Sequence, residues 1–332
     1  MSRTYQGGLI TKTPVTPAGP FQCGAASGVW TIDQMVGWQK AGLWPVAGLL
    51  GPGTFAIFAI GCSGGFSAVT NKYTYSGDVN SVATSLTNPS LGGSAAGNST
   101  RGIFALGAIS GFAYTTTRNK YTYSGCVVSS ATSANSDGSG GTATGNSTIG
   151  IFAIGGLNNA RNKYTYSGDT NAAAATASFV ARGGSAAGNS TVGIFALGIN
   201  VCCCCNPSTT RNKFTYSACT SGSATASSTA SCYGAATGNS TVGIFYIGGN
   251  NTTGNKYTYS GDINATATSS TVAQNGGSAA GNSTTGIFAL GGPSTTRNKY
   301  TYSGCVNAAA TASSISGRYG SAASNGTTGV NV

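Results

Sequence analysis

The sequence contains no histidine and no glutamate, and its only acidic side chains are five aspartates. General acid–base catalysis usually needs a histidine, or a pair of carboxylates whose pKa values differ. The aspartates are spread along the chain, so we predict that the protein is not an enzyme. A phosphate-binding loop would need a glycine-rich segment that leads through Lys-Ser or Lys-Thr into a helix, and none is present. We therefore expect no cofactor.

Long apolar runs and charged residues are also scarce. No stretch reaches the ~18 uninterrupted apolar residues of a membrane-spanning helix, so we expect no membrane insertion. Only 6% of the residues are charged, yet 16 lysines and arginines against five aspartates leave a net charge of +11. A chain this basic favours a polyanionic partner such as nucleic acid, an acidic polysaccharide or an acidic protein surface.

One sequence motif recurs six times. It consists of an apolar strand, a short loop, and a segment that begins with Asn-Lys followed by an aromatic residue. Its asparagines are Asn71, Asn119, Asn162, Asn212, Asn255 and Asn298. A unit of this length cannot bury its apolar face alone and must stack on copies of itself. A disordered low-complexity chain is the alternative, but the fixed offsets between apolar and aromatic strands argue against it.

Each repeat predicts four antiparallel strands. In one unit, small residues form a first strand at Gly184–Ala187, and an apolar strand follows at Val192–Gly198. Asn212–Ser217 alternates, with its aromatic side chains on one face, and a weak fourth strand lies near Ser223–Ala226. Four antiparallel strands in about 45 residues is the size of a propeller blade.

The two ends of the repeat region predict ring closure. Gly329–Val332 restarts the apolar strand with which Phe55–Phe58 begins, so both ends are expected to share one blade. Six Asn-Lys steps then predict an all-β, six-bladed propeller. A β-solenoid, which would leave exposed ends, is the alternative.

The first 45 residues differ in composition from the rest, because they contain all three tryptophans and four of the eight prolines. We predict two parts: residues 1–45 as an extended and helical segment, and residues 46–332 as the propeller. Thr31 can cap a short helix from Ile32 to about Ala41, with Asp33 in its first turn.

The N-terminal segment resembles that of many phage virion proteins. The resemblance is carried by Gly8–Thr11, Thr13–Phe21, Ala26–Thr31 and Lys40–Pro45. Such proteins are tail-fibre or structural proteins of marine and freshwater phages, including cyanophages, and the downstream repeats are similar to the kelch-like arrays that follow this segment in them. The resemblance implies a virion location, on an exposed surface or the tail.

The segment is too short to fold alone, so we expect it to become ordered against other virion proteins or in a homo-oligomer. The residues predicted to make the virion attachment are Trp30, Met35, Trp38 and Trp44. Within this class, a capsid decoration protein is an alternative to a tail fibre. A bacterial surface lectin or adhesin is the alternative from another class, although the first residues lack the pattern of a signal peptide.

The loops that lead into each Asn-Lys step vary, whereas the Gly-Asn-Ser-Thr turns are nearly identical in every repeat. Function tends to concentrate on variable loops held by a rigid scaffold. We therefore predict host adhesion through these loops, with aromatic side chains stacking on the sugars of an acidic host-surface glycan and arginines pairing with its acidic groups. The predicted receptor-binding residues are Phe112, Tyr114, Arg118, Arg161, Arg211 and Arg297.

Two alternatives apply to this basic surface. The recurrent cations can be structural, with their stems over apolar surface and their charges in water. Nucleic acid would require exposed aromatic side chains between the cations, and the tyrosine pairs of the repeats are expected to be buried. We therefore expect no nucleic-acid partner.

Ten cysteines raise the question of a metal site or disulfides. Cys202–Cys205 lacks the C-x-x-C spacing of a zinc site, so we predict no metal; free thiols, a contact patch or disulfides stay open. Aspartate and cysteine alternate at one position of successive repeats, where aspartate suits a β-turn. These residues are Asp78, Cys126, Asp169, Cys219, Asp262 and Cys305.

Overall fold

A computed structural model describes residues 5–6, 29–40, 54–156, 158–200, 206–292 and 294–326. The chain divides into two compact units, and each is described by itself. One comprises Met1–Gly51 with Thr122–Val127, and the other comprises Pro52–Tyr121 with Val128–Val332.

The N-terminal unit contains a helix, Ile32–Lys40, and a strand pair in which Tyr5–Gln6 runs antiparallel to Val29–Trp30. Thr31 Oγ1 accepts the backbone N–H of Gln34 at 3.2 Å, and the backbone N–H of Thr31 donates to Gln34 Oε1 at 2.9 Å. This reciprocal capping box fixes the start of the helix and confirms the predicted cap. No helix in the described ranges has the length and apolar character needed to cross a membrane.

Six four-stranded sheets contain most of the described strand residues. We number them 1 to 6 and name their strands inner, second, third and outer. Sheet 1 contains Ser321–Ser324, Phe55–Ala59, Thr70–Thr74 and Val79–Ala83. Sheet 2 contains Ser94–Gly97, Arg101–Ala105, Arg118–Thr122 and Val127–Ala131. Sheet 3 contains Thr142–Gly145, Ile149–Ala153, Arg161–Thr165 and Thr170–Ala174.

The remaining three sheets follow the same order. Sheet 4 contains Ser185–Gly188, Val192–Ala196, Arg211–Thr215 and Thr220–Ala224. Sheet 5 contains Ala235–Gly238, Val242–Tyr246, Gly254–Thr258 and Ile263–Ala267. Sheet 6 contains Ser278–Gly281, Thr285–Ala289, Arg297–Thr301 and Val306–Ala310. Short strands and two 3₁₀ turns complete the described elements: Ala108–Ile109, Ala113–Tyr114, Ala181–Arg182, Ile199–Asn200, Asn206–Pro207, Ser110–Phe112 and Tyr123–Gly125.

The four-strand pattern predicted from the repeat is therefore confirmed, with one shift. The outer strand expected near Ser223–Ala226 lies at Thr220–Ala224. Cys219 has a left-handed backbone conformation, with φ of 53°, which closes the preceding turn so that the strand begins at the next residue.

Sheet 1 joins the two ends of the repeat region, as expected. Its inner strand Ser321–Ser324 runs antiparallel to Phe55–Ala59, with Ile57 opposite Ala323. The segment that was predicted to close the sheet, Gly329–Val332, lies outside the described residues.

The inner strands meet one another, and each packs beside the inner strands of the two neighbouring sheets, with sheet 6 beside sheet 1. They consist of buried serine, alanine, threonine and glycine. Small side chains are needed there because the strands approach closely.

The larger core side chains lie between adjacent sheets. One cluster contains Ile151 of sheet 3 together with Phe195 and Tyr216 of sheet 4. A Cβ atom on Gly193 would lie 2.7 Å from the Tyr216 hydroxyl. This close approach explains the glycine before the apolar Ile-Phe pair in the second strand.

Candidate ligand-binding face

Two kinds of loop lie together on one side of the sheets. One kind connects the second strand to the third, and the other connects an outer strand to the next inner strand. Backbone bridges join them, as between Leu91 and Ala108 and between Cys232 and Gly248. We call this side the loop face, and we call the side that carries the Gly-Asn-Ser-Thr turns the turn face.

Phe112 and Tyr114 lie on the loop face and are exposed, as predicted for ligand contacts. Phe112 is 70% exposed and Tyr114 is 44% exposed. The Phe112 ring meets the edge of Phe66, which lies in the loop between the second and third strands of sheet 1, with the ring centres 5.0 Å apart. The backbone φ of Phe112 is 59°, and that of the preceding Gly111 is 81°. A bulky residue in this left-handed conformation is uncommon, and such strain concentrates at functional sites.

The four arginines predicted to contact the receptor are instead buried between neighbouring sheets, so that part of the prediction is wrong. Arg118 is 0% exposed, and its guanidinium lies 4.6 Å from the ring centre of Phe152 in sheet 3. Nη1 donates to Asn171 Oδ1 at 2.8 Å, and Nη2 donates to Asn162 Oδ1 at 3.2 Å. A guanidinium enclosed in this way links two sheets and cannot reach a receptor.

The other three arginines repeat this arrangement at 4.5–4.6 Å from a phenylalanine of the next sheet. The pairs are Arg161 over Phe195, Arg211 over Phe245, and Arg297 over Phe58. Burial lowers the pKa of all four arginines to about 10 because it removes their hydration. They are still charged at neutral pH, so the contacts are cation–π interactions. Sheets 1 and 5 have Thr70 and Gly254 at this position.

The repeated asparagine of the Asn-Lys step fastens each sheet to the one before it. Asn119 Oδ1 accepts the backbone N–H of Thr87 at 2.9 Å, and its Nδ2 donates to Thr87 Oγ1 at 2.8 Å. The same backbone contact recurs between the other sheets. Its pairs are Asn162–Asn135, Asn212–Ser178, Asn255–Ser228, Asn298–Thr271 and Asn71–Ser314. These buried amides account for the strict recurrence of the asparagine.

Asp169 illustrates how the aspartates on the turn face are used. It has φ of 50°, accepts from the Tyr164 hydroxyl, and accepts the backbone N–H of Thr132 at 3.0 Å. Lys120 Nζ lies 2.7 Å from its carboxylate. Burial alone would raise the pKa of Asp169, but these hydrogen bonds hold it well below its usual range.

Asp78 and Asp262 have equivalent tyrosine and threonine partners. All three aspartates therefore support turns and contacts between sheets. Their interpretation as turn residues is confirmed.

The cysteines differ in state. Cys126 is disulfide-bonded, whereas Cys62, Cys219, Cys232 and Cys305 are free thiols. Cys202–Cys205 lies outside the described residues. Within the described ranges, no three histidine, cysteine or acidic side chains are grouped so that they could hold a metal ion.

The predicted attachment residues are only partly described. Trp38 lies on the helix and is partly buried. Trp44, and the side chains of Trp30 and Met35, lie outside the described residues.

No protein-family model matches the chain, and no curated protein matches its sequence. Among solved structures, the chain is similar to TolB from Acinetobacter baumannii, with a TM-score of 0.55 and 11% identity over 81% of this chain. It spans 66% of the TolB chain, just under two thirds. It is also similar to YjhT, with a TM-score of 0.58 and 11% identity over 74% of this chain and 95% of that one. At this identity the likeness shows the fold alone, which is a β-propeller.

Proposed function

We propose that the six sheets are the blades of one closed, kelch-like propeller, preceded by a short attachment segment. Two features support six blades. Each inner strand packs beside the next around a complete circuit, and the Asn-Lys asparagines fasten six successive pairs of sheets, including the pair that joins residues 71 and 314. Sheet 1 contains strands from both ends of the repeat region, so no sheet is left as an open end of the circuit.

On this scaffold, we propose a non-enzymatic phage virion protein: a tail fibre or similar appendage that displays the propeller to bind a host-surface glycan. The observation that carries the binding role is the pair of exposed aromatic side chains, Phe112 and Tyr114, on the loop face. Aromatic faces stack on the apolar faces of sugar rings. The left-handed backbone conformation of Phe112 directs its ring toward solvent, where a ligand can reach it.

Two observations favour binding over catalysis. The sequence has neither histidine nor glutamate. Three of its five aspartates are occupied by turn hydrogen bonds on the turn face. The net charge of +11 favours an acidic glycan.

The virion location depends on the resemblance of the first 45 residues. In this proposal, the tryptophan-rich segment attaches the protein to other virion proteins or to copies of itself. A capsid decoration protein and a bacterial surface lectin or adhesin are the alternatives. Immunogold imaging of whole phage particles separates them, since label on the tail, on the capsid or on the bacterial envelope identifies each one.

The binding role is tested by attachment to host cells. Phe112→Ser and Tyr114→Ser should weaken attachment while the thermal unfolding midpoint stays within a few degrees. Val82→Ser is the matched control, because Val82 is an exposed apolar side chain (68%) on the outer strand of sheet 1. Equal attachment by all three variants and the wild type would contradict the proposal.

A further inference from the structure

Six residues on the loop face form a closed ring of backbone hydrogen bonds. Each donates its N–H to the preceding member and accepts from the following one at 2.6–2.9 Å. The members, in order, are Gly92, Gly140, Gly183, Tyr233, Gly276 and Tyr319. We call this ring the axial ring. Each member lies two residues before the start of an inner strand. The ring therefore surrounds the opening, on the loop face, of the space where the inner strands meet; we call this opening the axial mouth.

All six members have the left-handed conformation, with φ between 53° and 70°. Glycine adopts this conformation freely, and four of the six members are glycines. Tyrosine is disfavoured there, yet Tyr233 and Tyr319 have φ of 54° and 53°. Folding alone would therefore select glycine at all six positions, so the two tyrosines require another explanation.

The two tyrosine rings lie against the axial ring and against each other. Their centroids are 5.1 Å apart with an interplanar angle of 66°. A Cβ on Gly183 would lie 2.8 Å from Tyr233 Cδ1, and a Cβ on Gly276 would lie 2.6 Å from Tyr319 Cδ1. The glycines thus leave the space that the tyrosine rings occupy, and both rings are only partly buried.

One arginine lies against these aromatic rings, and a second precedes another member of the axial ring. Arg318 is exposed, and its guanidinium lies 5.3 Å from the ring centre of Tyr319. Arg182 precedes Gly183, three steps away around the axial ring, and its Cβ lies 3.3 Å from where a Cβ on Gly140 would be. The residues that precede the other four ring members are uncharged: Leu91, Ser139, Cys232 and Asn275.

A small cavity, open to solvent, lies next to the axial ring. It is lined by the glycines and hydroxyl residues with which the inner strands begin. These hydroxyls belong to Ser94, Thr142, Ser185, Ser278 and Ser321. They can hydrogen-bond to polar groups of a molecule held at the mouth.

We infer that the axial mouth is a second saccharide site, specific for a pyranose that bears a carboxylate, as in uronic-acid polysaccharides. The sugar ring stacks on Tyr233 and Tyr319. Its carboxylate pairs with Arg318, and Arg182 takes the acidic group of a further sugar unit. This inference rests on the proposed glycan-binding function and adds a location and a ligand class to it.

Isothermal titration of the full chain with oligogalacturonate tests the inference, with maltohexaose as the neutral probe. Arg182→Gln combined with Arg318→Gln should reduce affinity for oligogalacturonate about 10-fold or more, and should remove the preference over maltohexaose. Lys40→Gln, which removes a charge from the N-terminal helix, is the control and should retain wild-type affinity.

Tyr233→Gly with Tyr319→Gly restores the glycine pattern and separates binding from folding. We expect affinity to fall about 10-fold while the thermal unfolding midpoint is unchanged or higher, because glycine suits the backbone conformation. A lower midpoint with unchanged affinity would show that the tyrosines only support the ring, and would overturn the inference.

The remaining outcomes distinguish the two proposals. Wild-type binding that Phe112→Ser abolishes, but that the axial variants retain, would overturn the axial site and leave the proposed function standing. Absence of binding to both probes would overturn the axial site, while cell attachment sensitive to Phe112→Ser would still support the proposed function.

Discussion

Tyr246 and Gly254 face each other on the second and third strands of sheet 5, and the tyrosine ring occupies the place that an arginine takes between four other pairs of sheets. The ring meets Phe288 of sheet 6 at 4.5 Å, and its hydroxyl donates to the carbonyl of Thr268 at 3.2 Å. A Cβ on Gly254 would lie 3.0 Å from the ring. The glycine therefore makes room for a tyrosine that replaces the arginine of the other repeats.

The tyrosine–glycine pair of sheet 5 and the arginine of sheet 4 fill equivalent positions. We therefore predict that a tyrosine–glycine pair can replace the arginine in sheet 4. Arg211→Gly removes the arginine donor of Asn264 Oδ1 and one of the two donors of Asn255 Oδ1, and should lower the free energy of unfolding by about 3 kcal/mol. Adding Ala196→Tyr, opposite that position, should restore part of the loss. A double-mutant cycle by urea unfolding should give a coupling of about 2 kcal/mol, whereas additive effects would contradict the equivalence.

Because the circuit is closed, we predict that the junction between sheets 6 and 1 contributes as much to stability as any other junction between neighbouring sheets. Asn71 binds Ser314 across the junction of the two chain ends, and Asn255 binds Ser228 between sheets 4 and 5 with nearly identical geometry. Asn71→Ala and Asn255→Ala should each lower the free energy of unfolding by about 1–3 kcal/mol, with equal cooperativity in urea. In an open stack, loss at the end junction would cause only local fraying, so a much smaller effect of Asn71→Ala would contradict closure.

The hydrogen bonds to Asp169 predict a loss of stability in acid. Its pKa is lower in the folded protein than in the unfolded chain, so its contribution is complete above the unfolded pKa of about 4. That contribution declines as the pH falls from there through the folded pKa. The destabilisation caused by Asp169→Asn, measured by urea unfolding, should therefore be largest near pH 6 and shrink below about pH 4.

Asp137→Asn is the control for this titration, since Asp137 is an exposed aspartate on the loop face. A destabilisation by Asp169→Asn that is the same at pH 6 and pH 3 would contradict the assigned hydrogen bonds.

Much of the fold follows from local patterns. The recurrence of the Asn-Lys step gives the number of repeats, the apolar and alternating segments give the strands, and Thr31 gives the helix start. These features depend on backbone preferences and on apolar periodicity, which neighbouring residues in the sequence determine.

The role of the arginines does not follow from local patterns. Arg118 reads as a surface cation because its partners, Asn162 and Asn171, belong to the next repeat and carry no charge. One feature of the sequence does indicate the buried role. The second strand of sheet 5 ends in Tyr246 instead of alanine, and the same repeat has Gly254 where four other repeats have arginine. Similarly, the sequence shows tyrosine before glycine at Tyr233 and Tyr319, but only the folded circuit places both rings at one mouth.

The central claim is that the protein binds its ligand through the loop face, and hydrogen–deuterium exchange of the full chain with and without oligogalacturonate tests it most directly. We predict slower exchange in residues 108–116, 231–233 and 317–319, and unchanged exchange in the Gly-Asn-Ser-Thr turns at residues 97–100, 145–148 and 188–191. Slower exchange confined to those turns would contradict the account, because the ligand would then bind on the turn face.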